Sequence, residues 1–582
     1  MDNVYNMHQH SDQKKTVRRV IFSLVVLAIL LVVGYAASIF IELIQIREVG
    51  EQFVSVYMTN LTVKLAIQAA GFLLTFVVLF LSALWVRRNM LKINPSLTIL
   101  KKTSLVFLLS FIISFIAGNT LKETMYQKFL FFVNAIPFDK VDPIFSNDIG
   151  YYVFSRPFLM ALVNNVTGIW LFQIVVTLGL YVVLYLGISL GTWNFKDLRH
   201  EKGIVFHNLV NVVIWLLLKA ASYKFMQESV LYSTIGEVRG AGYTDLTVWL
   251  NYYRLAPFLL IAIAIFAMFF LMRKKIVHAG VTIAIFPVVS ILVSLIAGGV
   301  QAAIVQPSEV NIEKPYLEHN IRMTRDAFNL SSTIEKDFNI SYNLTQKDLE
   351  DNALTVNNIR ITDIPETQAI SNQLQGIRNY YNFHDTDAAV YDINQKPTAV
   401  FLSVRELNKP NIADAAKTYI NEKFRFTHGI GAVMNPINRM STEGHPEYVI
   451  KDIPPKSTEG APKITQPRIY FGEMTDDYVI VNAKDTKELD YSEGQEELEF
   501  TYDGKAGVKM NLFNRLVFAA KYGDFRMLVS NFITGDSRLL LNRQILARVN
   551  IAAPFLHYEN DAYVVIDKDG RLKWVVDIYT TT

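Results

Sequence analysis

Three residues in the second half of the chain carry the side chains that general acid–base chemistry uses. His428 is followed by Gly429 and Gly431, which allow the backbone to bend and expose the imidazole. Arg468 and Glu473 flank a strand-like string of four residues. A histidine, an arginine and a carboxylate can form a general acid–base site. A buried polar network that fixes the fold explains the same residues, and the sequence favours that interpretation.

Two acidic strings raise the question of a metal ion. The first, "HDTDAAVYD" (His384–Asp392), offers carboxylate and imidazole ligands, but it lacks the glycine and the final glutamate of a calcium-binding EF-hand loop. The second, "DKDG" (Asp567–Gly570), is explained by a hairpin turn. The sequence therefore predicts neither a metal ion nor a bound cofactor.

Several common catalytic motifs are missing from the sequence. It contains no Walker-type phosphate loop, no Gly-x-Ser-x-Gly elbow and no His-Glu-x-x-His zinc motif. The chain has 0 cysteines, which excludes disulfides, thiol nucleophiles and cysteine-ligated metals. We therefore expect a protein without a recognisable catalytic centre, and a non-enzymatic role is favoured.

The composition indicates a membrane protein. Of 582 residues, 51% are hydrophobic and only 19% are charged, against about 25% charged in ordinary soluble domains. A helix that crosses a bilayer needs about 20 mostly apolar residues. The predicted spans are Val20–Ile41, Leu65–Val86, Ser104–Gly118, Thr167–Leu190, Ile204–Ser222, Leu255–Met272 and Val277–Ile304.

The distribution of charge predicts the orientation of these spans. Basic clusters precede the first span and lie in the loops after the second, fourth and sixth spans, whereas the other short loops mix both signs. Because positive loops stay in the cytoplasm, the amino terminus is predicted to be cytoplasmic and the chain from about residue 307 onward extracytoplasmic. Residues 307–582 hold 39 acidic and 31 basic residues, a balance of −8, whereas the first 306 residues carry +11.

Few polar side chains lie within the predicted spans. Gln68, Gln173 and Asn211 are most simply explained by hydrogen bonds between helices, and His207 lies one turn inside the fifth span. The broken helices and buried charges that mark many transporters are missing from the sequence. Transport is therefore an alternative function, not the favoured one.

The extracytoplasmic region, residues 307–582, is predicted to be a mixed α+β structure, with two subdomains divided near residues 452–467. Tyr563–Tyr579 reads as a β-hairpin. Helical periodicity predicts helices at Ala413–Phe424 and Ser537–Val549, among others.

Two long loops of the transmembrane domain (residues 1–306) are predicted to lie on the same outer side. They cover residues 119–156 and 223–254, and both are rich in aromatic side chains, which favour the headgroup region of a bilayer. A site for a lipid or another hydrophobic ligand in these loops is a further hypothesis.

Several strings along the chain resemble a known family. They are "DPIFSNDIGYYVF" (Asp142–Phe154), "GAGYTD" (Gly240–Asp245), "NIEKPYLEHNIRMTRDAF" (Asn311–Phe328), "QLQGIRNYYNF" (Gln373–Phe383), "THGIGAVM" (Thr427–Met434), "QPRIYFGE" (Gln466–Glu473) and "IAAPFL" (Ile551–Leu556). In this order they are similar to uncharacterised protein family 0182, a group of large bacterial membrane proteins. The resemblance implies a plasma-membrane protein with about seven spans and a large carboxy-terminal region, without an established activity. Similar proteins continue past the position of Asp577–Thr580, so the chain is identified as a naturally short or a truncated member.

Together these observations favour an integral plasma-membrane protein whose external region binds an envelope lipid, an envelope polymer or another membrane protein. The alternatives are a transporter or channel gated by the external region, and an envelope-acting hydrolase or transferase that uses the His428 region. Nucleic acid is not an expected partner, because each basic cluster lies at a span end without aromatic residues for base stacking.

Overall fold

The computed structural model describes residues 2–93, 95, 103–188, 202–236, 239–273, 275–494 and 496–579. The chain divides into two compact units. The first consists of Met1–Gly34 and Asn60–Asp337, and the second of Tyr35–Thr59 and Phe338–Thr582.

Long helices make up the first unit. They are α1 (Asp2–Val49, whose last part belongs to the second unit), α2 (Val54–Ile93), α3 (Thr103–Val133), α4 (Arg156–Ile188), α5 (Lys202–Glu228), α6 (Leu250–Met272), α7 (Ile276–Val300) and α8 (Glu309–Ala327). Within the described ranges, seven helical segments are long and apolar enough to cross a membrane, which confirms the predicted number of spans. The chain is therefore a multi-pass membrane protein.

The seventh span continues as a helix well beyond the length that a bilayer requires. A π turn (Gln301–Val305) and a 3-10 turn (Gln306–Ser308) join α7 to α8, so that one helical segment covers Val277–Ala327. Helix α3 likewise reaches Val133, so the first half of the predicted loop 119–156 is helical. The aromatic side chains of that half therefore lie on a helix and not on an irregular loop.

The second unit is a mixed α+β structure, which confirms the predicted fold class. Its further helices are α9 (Gln346–Asp351), α10 (Ala353–Val356), α11 (Ile364–Gln375), α12 (Leu512–Tyr522), α13 (Arg526–Val529) and α14 (Ile545–Ala552). Its strands are β1 (Tyr381–Phe383), β2 (Asp387–Ile393), β3 (Lys396–Leu407), β4 (Gly429–Ile430), β5 (Ala432–Pro436), β6 (Ile450–Lys451), β7 (Lys456–Ser457), β8 (Arg468–Ile469), β9 (Val479–Val481), β10 (Glu488–Glu493), β11 (Glu496–Phe500), β12 (Val508–Lys509), β13 (Arg538–Leu540), β14 (His557–Ile566) and β15 (Leu572–Tyr579).

An antiparallel six-stranded sheet is the largest sheet of this unit. Its order is β1-β3-β5-β6-β7. Strand β2 pairs with the same edge of β3 as β1 does, but with the first part of β3, whereas β1 pairs with its last three residues. Strand β3 is long and buried along most of its length because it has neighbours on both edges. Val400, Leu402 and Met434 form the core beside this sheet, together with Val564 and Ile566 from β14.

Four smaller sheets are described in this unit, and two of them are the strand pairs β4-β8 and β10-β11. Strands β12-β13-β9 form a sheet whose core includes Ile480, Leu539 and Phe518. Strands β14 and β15 pair antiparallel with Ile566 opposite Leu572, which confirms the predicted hairpin.

Two predicted helices are wrong in part or in whole. Ala413–Phe424 contains only short 3-10 and π turns, because local side-chain bonds, such as that from Asn421 Nδ2 to the carbonyl of Ala416, compete with helical bonding. Within Ser537–Val549 the first residues form strand β13. The helix begins only at Ile545, where the side chain of Gln544 accepts a bond from the backbone and caps it.

Candidate functional site

His428 and Arg468 lie beside each other where strands β4 and β8 pair. His428 directly precedes strand β4. Arg468 is the first residue of strand β8, which runs antiparallel to β4. The imidazole is fully buried, with Nδ1 2.9 Å from Thr427 Oγ1 and Nε2 3.4 Å from Asp490 Oδ1. Burial lowers the pKa of His428, so the ring is neutral at pH 7.

Asp490, which belongs to none of the motifs recognised in the sequence, joins these two residues. Arg468 donates from Nε (2.9 Å) and Nη2 (2.7 Å) to its two carboxylate oxygens, and the guanidinium lies 3.5 Å from the centre of the Phe500 ring. Burial acts to raise the pKa of Asp490, but the hydrogen bonds from His428 and Arg468 outweigh it and hold the pKa below its usual value. The polar side chains of His428, Arg468 and Asp490 thus all have hydrogen-bond partners within the protein, as in a buried network that stabilises the fold.

Glu473 does not join this network. Its backbone N–H donates to Glu406 Oε1 at 3.0 Å, and the N–H of Met474 donates to the other oxygen at 3.0 Å. Glu406 is itself only 1% exposed. The predicted trio is therefore divided between two places: His428 and Arg468 in one, and Glu473 in the other.

Glu473 belongs to a group of carboxylates that we call the acidic cluster: Asp385, Asp387, Glu473 and Asp561. Ligand oxygens of the three aspartates lie within 4.8 Å of one another. Burial, followed by the charges of Glu406 and the three aspartates, raises the pKa of Glu473 to about 8. Burial and the charges of Asp385 and Asp561 raise the pKa of Asp387 to about 7.

Such a cluster lowers its own repulsion by binding a proton or a cation. A hydrogen bond between the carboxyl groups of Asp385 and Asp561 corresponds to the protonated form. Oxygen ligands at this spacing would also suit a hard divalent cation. The sequence predicted no metal because the string His384–Asp392 lacks the glycine and the final glutamate of a calcium-binding loop. Asp561 reaches Asp385 and Asp387 only because β14 packs beside the six-stranded sheet.

A second candidate site lies in the first unit, in a cavity of about 430 Å³ that we call the loop pocket. Three of the strings that resemble a known family line it. Pro143 and Ile144 come from the first, Gly240 and Gly242 from the second, and one face of α8 from the third. The two residues from the first string are apolar, and so are Val310, Tyr316, Leu317 and Met323 of α8, whereas the other four lining residues of α8 are polar or charged. The glycines leave room beside the helix.

Polar contacts hold each of these strings in place. Asp142 is 4% exposed and accepts bonds from the backbone N–H groups of Ile144, Phe145 and Asn147, so the turn presents Pro143–Ile144 to the pocket. Near the end of the same string, Tyr151 OH donates to Glu228 Oε1 at 3.0 Å, and Arg156, two residues after the string, forms a buried ion pair with Glu228 Oε2 at 2.9 Å.

The close approach of Glu313 explains why the second string has glycine at position 242. A β-carbon at Gly242 would lie 3.0 Å from Glu313 Oε2, and the N–H of the next residue, Tyr243, donates to both oxygens of that carboxylate at 3.1 and 3.2 Å. Gly240 has φ of +137°, which a side chain would strain. Asn320 Nδ2 donates to the carbonyl of Arg239 at 2.8 Å and closes the loop onto α8.

Three side chains that are ordinarily charged line the pocket, Glu309, Glu313 and Arg239, and they differ in burial and in partners. The Glu313 carboxylate is buried and already accepts hydrogen bonds at both oxygens from the backbone N–H of Tyr243. The guanidinium of Arg239 is exposed at the pocket and has no ion-pair partner among the residues that the structure describes. The arrangement can therefore bind an apolar chain against Ile144 and α8 and an anionic group at Arg239.

In the sequence these loops stand out by their aromatic residues. The pocket is instead lined by the motif residues beside them, and Arg239 was missed. A signal was present, since Arg239 directly precedes "GAGYTD", but only the folded chain shows that this string meets the helix 309–327.

Comparison with known proteins gives a family but no activity. Residues 19–582 match the sequence model of Uncharacterised protein family (UPF0182). A UPF0182 protein of Caldicellulosiruptor saccharolyticus is 41% identical over 584 residues, covering 100% of this chain and 64% of the relative. Similar proteins of Clostridium acetobutylicum (35% identical, 98% of this chain, 64% of the relative) and Methanospirillum hungatei (36%, 80% and 53%) carry the same family name. This chain thus spans less than two thirds of the length of these relatives, and no solved structure matches it.

Proposed function

Because this chain belongs to Uncharacterised protein family UPF0182, whose name carries no activity, we propose a function from geometry: it is a plasma-membrane protein that binds an anionic amphiphilic lipid in the loop pocket. The observation that carries the proposal is the convergence of three separate family strings on one largely apolar cavity. Ligand sites are commonly such cavities, of about 300–1,000 Å³, with a few polar groups that orient the ligand.

The choice of an anionic head group follows from the charges. Glu313 is engaged by the backbone of the glycine string, so its charge is not free for a ligand. Arg239 is exposed beside the cavity and can form paired hydrogen bonds with a phosphate or carboxylate. His319 also lines the pocket and adds a second nitrogen donor.

The location of the pocket supports a ligand from the membrane. The pocket lies where the seventh span passes into α8 and beside the turn that follows α5, at the ends of membrane helices. On the predicted orientation this side is extracytoplasmic. An acyl chain could therefore enter the cavity from the outer leaflet.

The test is lipid binding by the purified full chain. We expect native mass spectrometry in a mild detergent to show one tightly bound phosphatidylglycerol, with at least tenfold weaker binding of phosphatidylethanolamine. Arg239→Gln should lower phosphatidylglycerol binding about tenfold, because it removes a charged hydrogen-bond donor worth roughly 1.5 kcal/mol or more. Leu317→Asn should weaken both lipids, since it makes the apolar wall polar.

Two controls make the test specific. Arg325→Gln changes an arginine in the last turn of α8 that does not line the pocket, and Leu330→Asn changes an exposed leucine outside it. Both should bind lipid like the unmodified chain. Equal binding by the Arg239 and Arg325 variants would contradict the proposed site.

The orientation is tested separately. Because the chain has 0 cysteines, single cysteines can be placed at will. In intact cells a membrane-impermeant maleimide should label Glu459→Cys, in the region predicted to be outside, and should not label Lys92→Cys, in a predicted cytoplasmic loop. The reverse pattern would place the second unit in the cytoplasm.

A further inference from the structure

The buried face of α2 is unusually polar for a membrane helix. Gln68, Thr75, Ser82 and Asn89 recur every seven residues on this face and are each less than 10% exposed. At 1.5 Å per residue, the distance from the first to the last is about 31 Å, close to the thickness of a hydrocarbon core. A polar line therefore follows the whole membrane path of α2 on the side turned away from lipid.

Several polar atoms along this line lack partners. Gln68 Oε1, Thr75 Oγ1, Ser114 Oγ, Gln173 Oε1 and Asn211 Nδ2 are buried and have no hydrogen-bond partner among the described residues. They come from four helices, and each residue is at most 6% exposed. An unsatisfied polar group in a membrane costs several kcal/mol, so these atoms require water molecules.

Helices α2 and α3 approach closely at one point of this line. A β-carbon at Gly118 would lie 2.8 Å from the carbonyl oxygen of Gln68. Thr75 lies one turn from Gly71 on α2, and Ser114 lies one turn from Gly118 on α3. The contacts of Phe72 with Phe111 and of Phe76 with Phe107 show that the two helices are antiparallel. The hydroxyls of Thr75 and Ser114 therefore lie on the same side of the point where the helices approach.

At one end the line becomes a continuous chain of hydrogen bonds. Asn89 Nδ2 donates to Tyr181 OH (2.8 Å), which lies 2.9 Å from His207 Nδ1. His207 Nε2 lies 3.2 Å from Ser82 Oγ, which lies 2.9 Å from Thr177 Oγ1.

The donors and acceptors of this chain fix its direction. Thr177 donates to the carbonyl of Gln173, and the Gln173 amide donates to Ser82 and Thr177. Every hydroxyl is then satisfied only if Tyr181 donates to Nδ1 and the hydrogen of His207 is on Nε2. The opposite tautomer would leave the Tyr181 hydroxyl without an acceptor.

We propose that this line of polar side chains and water is a pathway for protons across the membrane, with His207 as its proton-binding group. The Trp85 ring stacks on the imidazole at 4.4 Å with 19° between the planes, a contact that stabilises a cationic ring. Among the described residues that contact it, only Tyr181 is titratable; Ser82 and Trp85 are not. The polar atoms lie one or two helical turns apart, which suits a single file of water molecules. A metal ion would instead need several oxygen ligands around one point.

The proton step balances within the chain. A proton added at Nδ1 requires the Tyr181 hydroxyl to turn its hydrogen away from the ring, towards water. The proton on Nε2 then passes to Ser82 Oγ, while the hydroxyl proton of Ser82 moves on to water beside Gln173 Oε1. The ring is left neutral with its hydrogen on Nδ1. After the ring turns, Nε2 takes up a second proton from the Asn89 side and Nδ1 releases its hydrogen to water on the Ser82 side. Turning back then restores the starting tautomer, so that two protons pass in each cycle.

The experiment measures proton flux in liposomes that contain the full chain and an enclosed pH-sensitive dye, with a potassium diffusion potential as the driving force. We expect flux at least tenfold above that of empty liposomes and unchanged when choline replaces sodium outside. Ser82→Ala should lower it at least tenfold. Ser114→Ala should lower it severalfold without affecting folding, because it removes a hydroxyl that has no protein partner.

The matched control is Ser294→Ala, which removes an exposed serine hydroxyl from α7, bonded only to the carbonyl of Ser290. It should conduct like the unmodified chain. Flux no faster than in empty liposomes overturns the proposal, as does flux that survives both Ser82→Ala and Ser114→Ala. If Ser82→Ala elutes as an aggregate in size-exclusion chromatography, Ser114→Ala alone decides. Flux that requires sodium would also overturn the assignment to protons.

Discussion

The end of α1 is held to the second unit by a buried ion pair whose loss should be costly. Arg548 Nη1 lies 2.8 Å from Glu48 Oε2 and Nη2 lies 3.2 Å from Oε1, while the N–H of Gly507 donates to Oε1 at 2.9 Å. The side chains are only 1% (Glu48) and 14% (Arg548) exposed. Glu48→Gln keeps the shape but leaves the guanidinium buried without a counter-charge.

The expected magnitude follows from this burial. Removing one partner of a buried pair costs about 3–5 kcal/mol, whereas an exposed pair contributes at most about 1 kcal/mol. With a urea dependence of about 2.5 kcal/mol per M, the midpoint for unfolding of the second unit should fall by about 1 to 2 M. The double variant Glu48→Leu with Arg548→Met should recover a large part of this loss, because no buried charge remains.

Urea titration in detergent, read by pulse proteolysis with antibody detection of the second unit, measures these midpoints. Glu497→Gln is the matched control, since its partner Arg425 forms an exposed pair in the same unit, with Glu497 56% exposed. The control should shift the midpoint by less than about 0.4 M. A shift this small for Glu48→Gln would refute the reasoning, because it would mean that water reaches the pair.

Three further predictions concern other parts of the chain. Because the pKa of Glu473 is raised in the folded state, the folded chain binds a proton that the unfolded chain has lost, so stability falls as pH rises from about 4.5 to about 8. Glu473→Gln should therefore raise the melting temperature at pH 8.5 and change it little at pH 5. Gly118→Leu should destabilise the membrane helices in detergent, since even a β-carbon meets the α2 backbone, whereas Gly179→Leu, with nothing within 4 Å, should be neutral. Asp490→Asn should cost about 3 kcal/mol in urea titration, because it leaves Arg468 unpaired; no loss would speak against a structural role of the His428 network.

The parts of the fold that the sequence predicted well are those governed by local pattern. Seven apolar segments, the α+β class of the second unit and the hairpin around Asp569–Gly570 follow from hydrophobic length, alternation and turn residues. The helix predicted at Ala413–Phe424 failed because side-chain hydrogen bonds and the burial of Phe424 in the core outweigh a weak periodicity.

The candidate sites were predicted less well from the sequence than the fold. His428 and Arg468 were expected together and are together, but Asp490, which joins them, gave no local signal. Glu473 was assigned to them because it is near in sequence. Its real neighbours, Asp387 and Asp561, come from other strands, and strand pairing cannot be read from one residue string.

By itself the sequence determined that the chain is a multi-pass membrane protein with a large polar second half, because the cost of placing polar groups in lipid acts on each segment separately. It also supplied the strings that build the loop pocket. Only the tertiary structure decided that three of these strings share one cavity, that four carboxylates form the acidic cluster, and that polar residues from four helices share one line. Such sites depend on contacts between segments far apart in the chain, and those contacts are set by the packing of the whole unit rather than by any local preference.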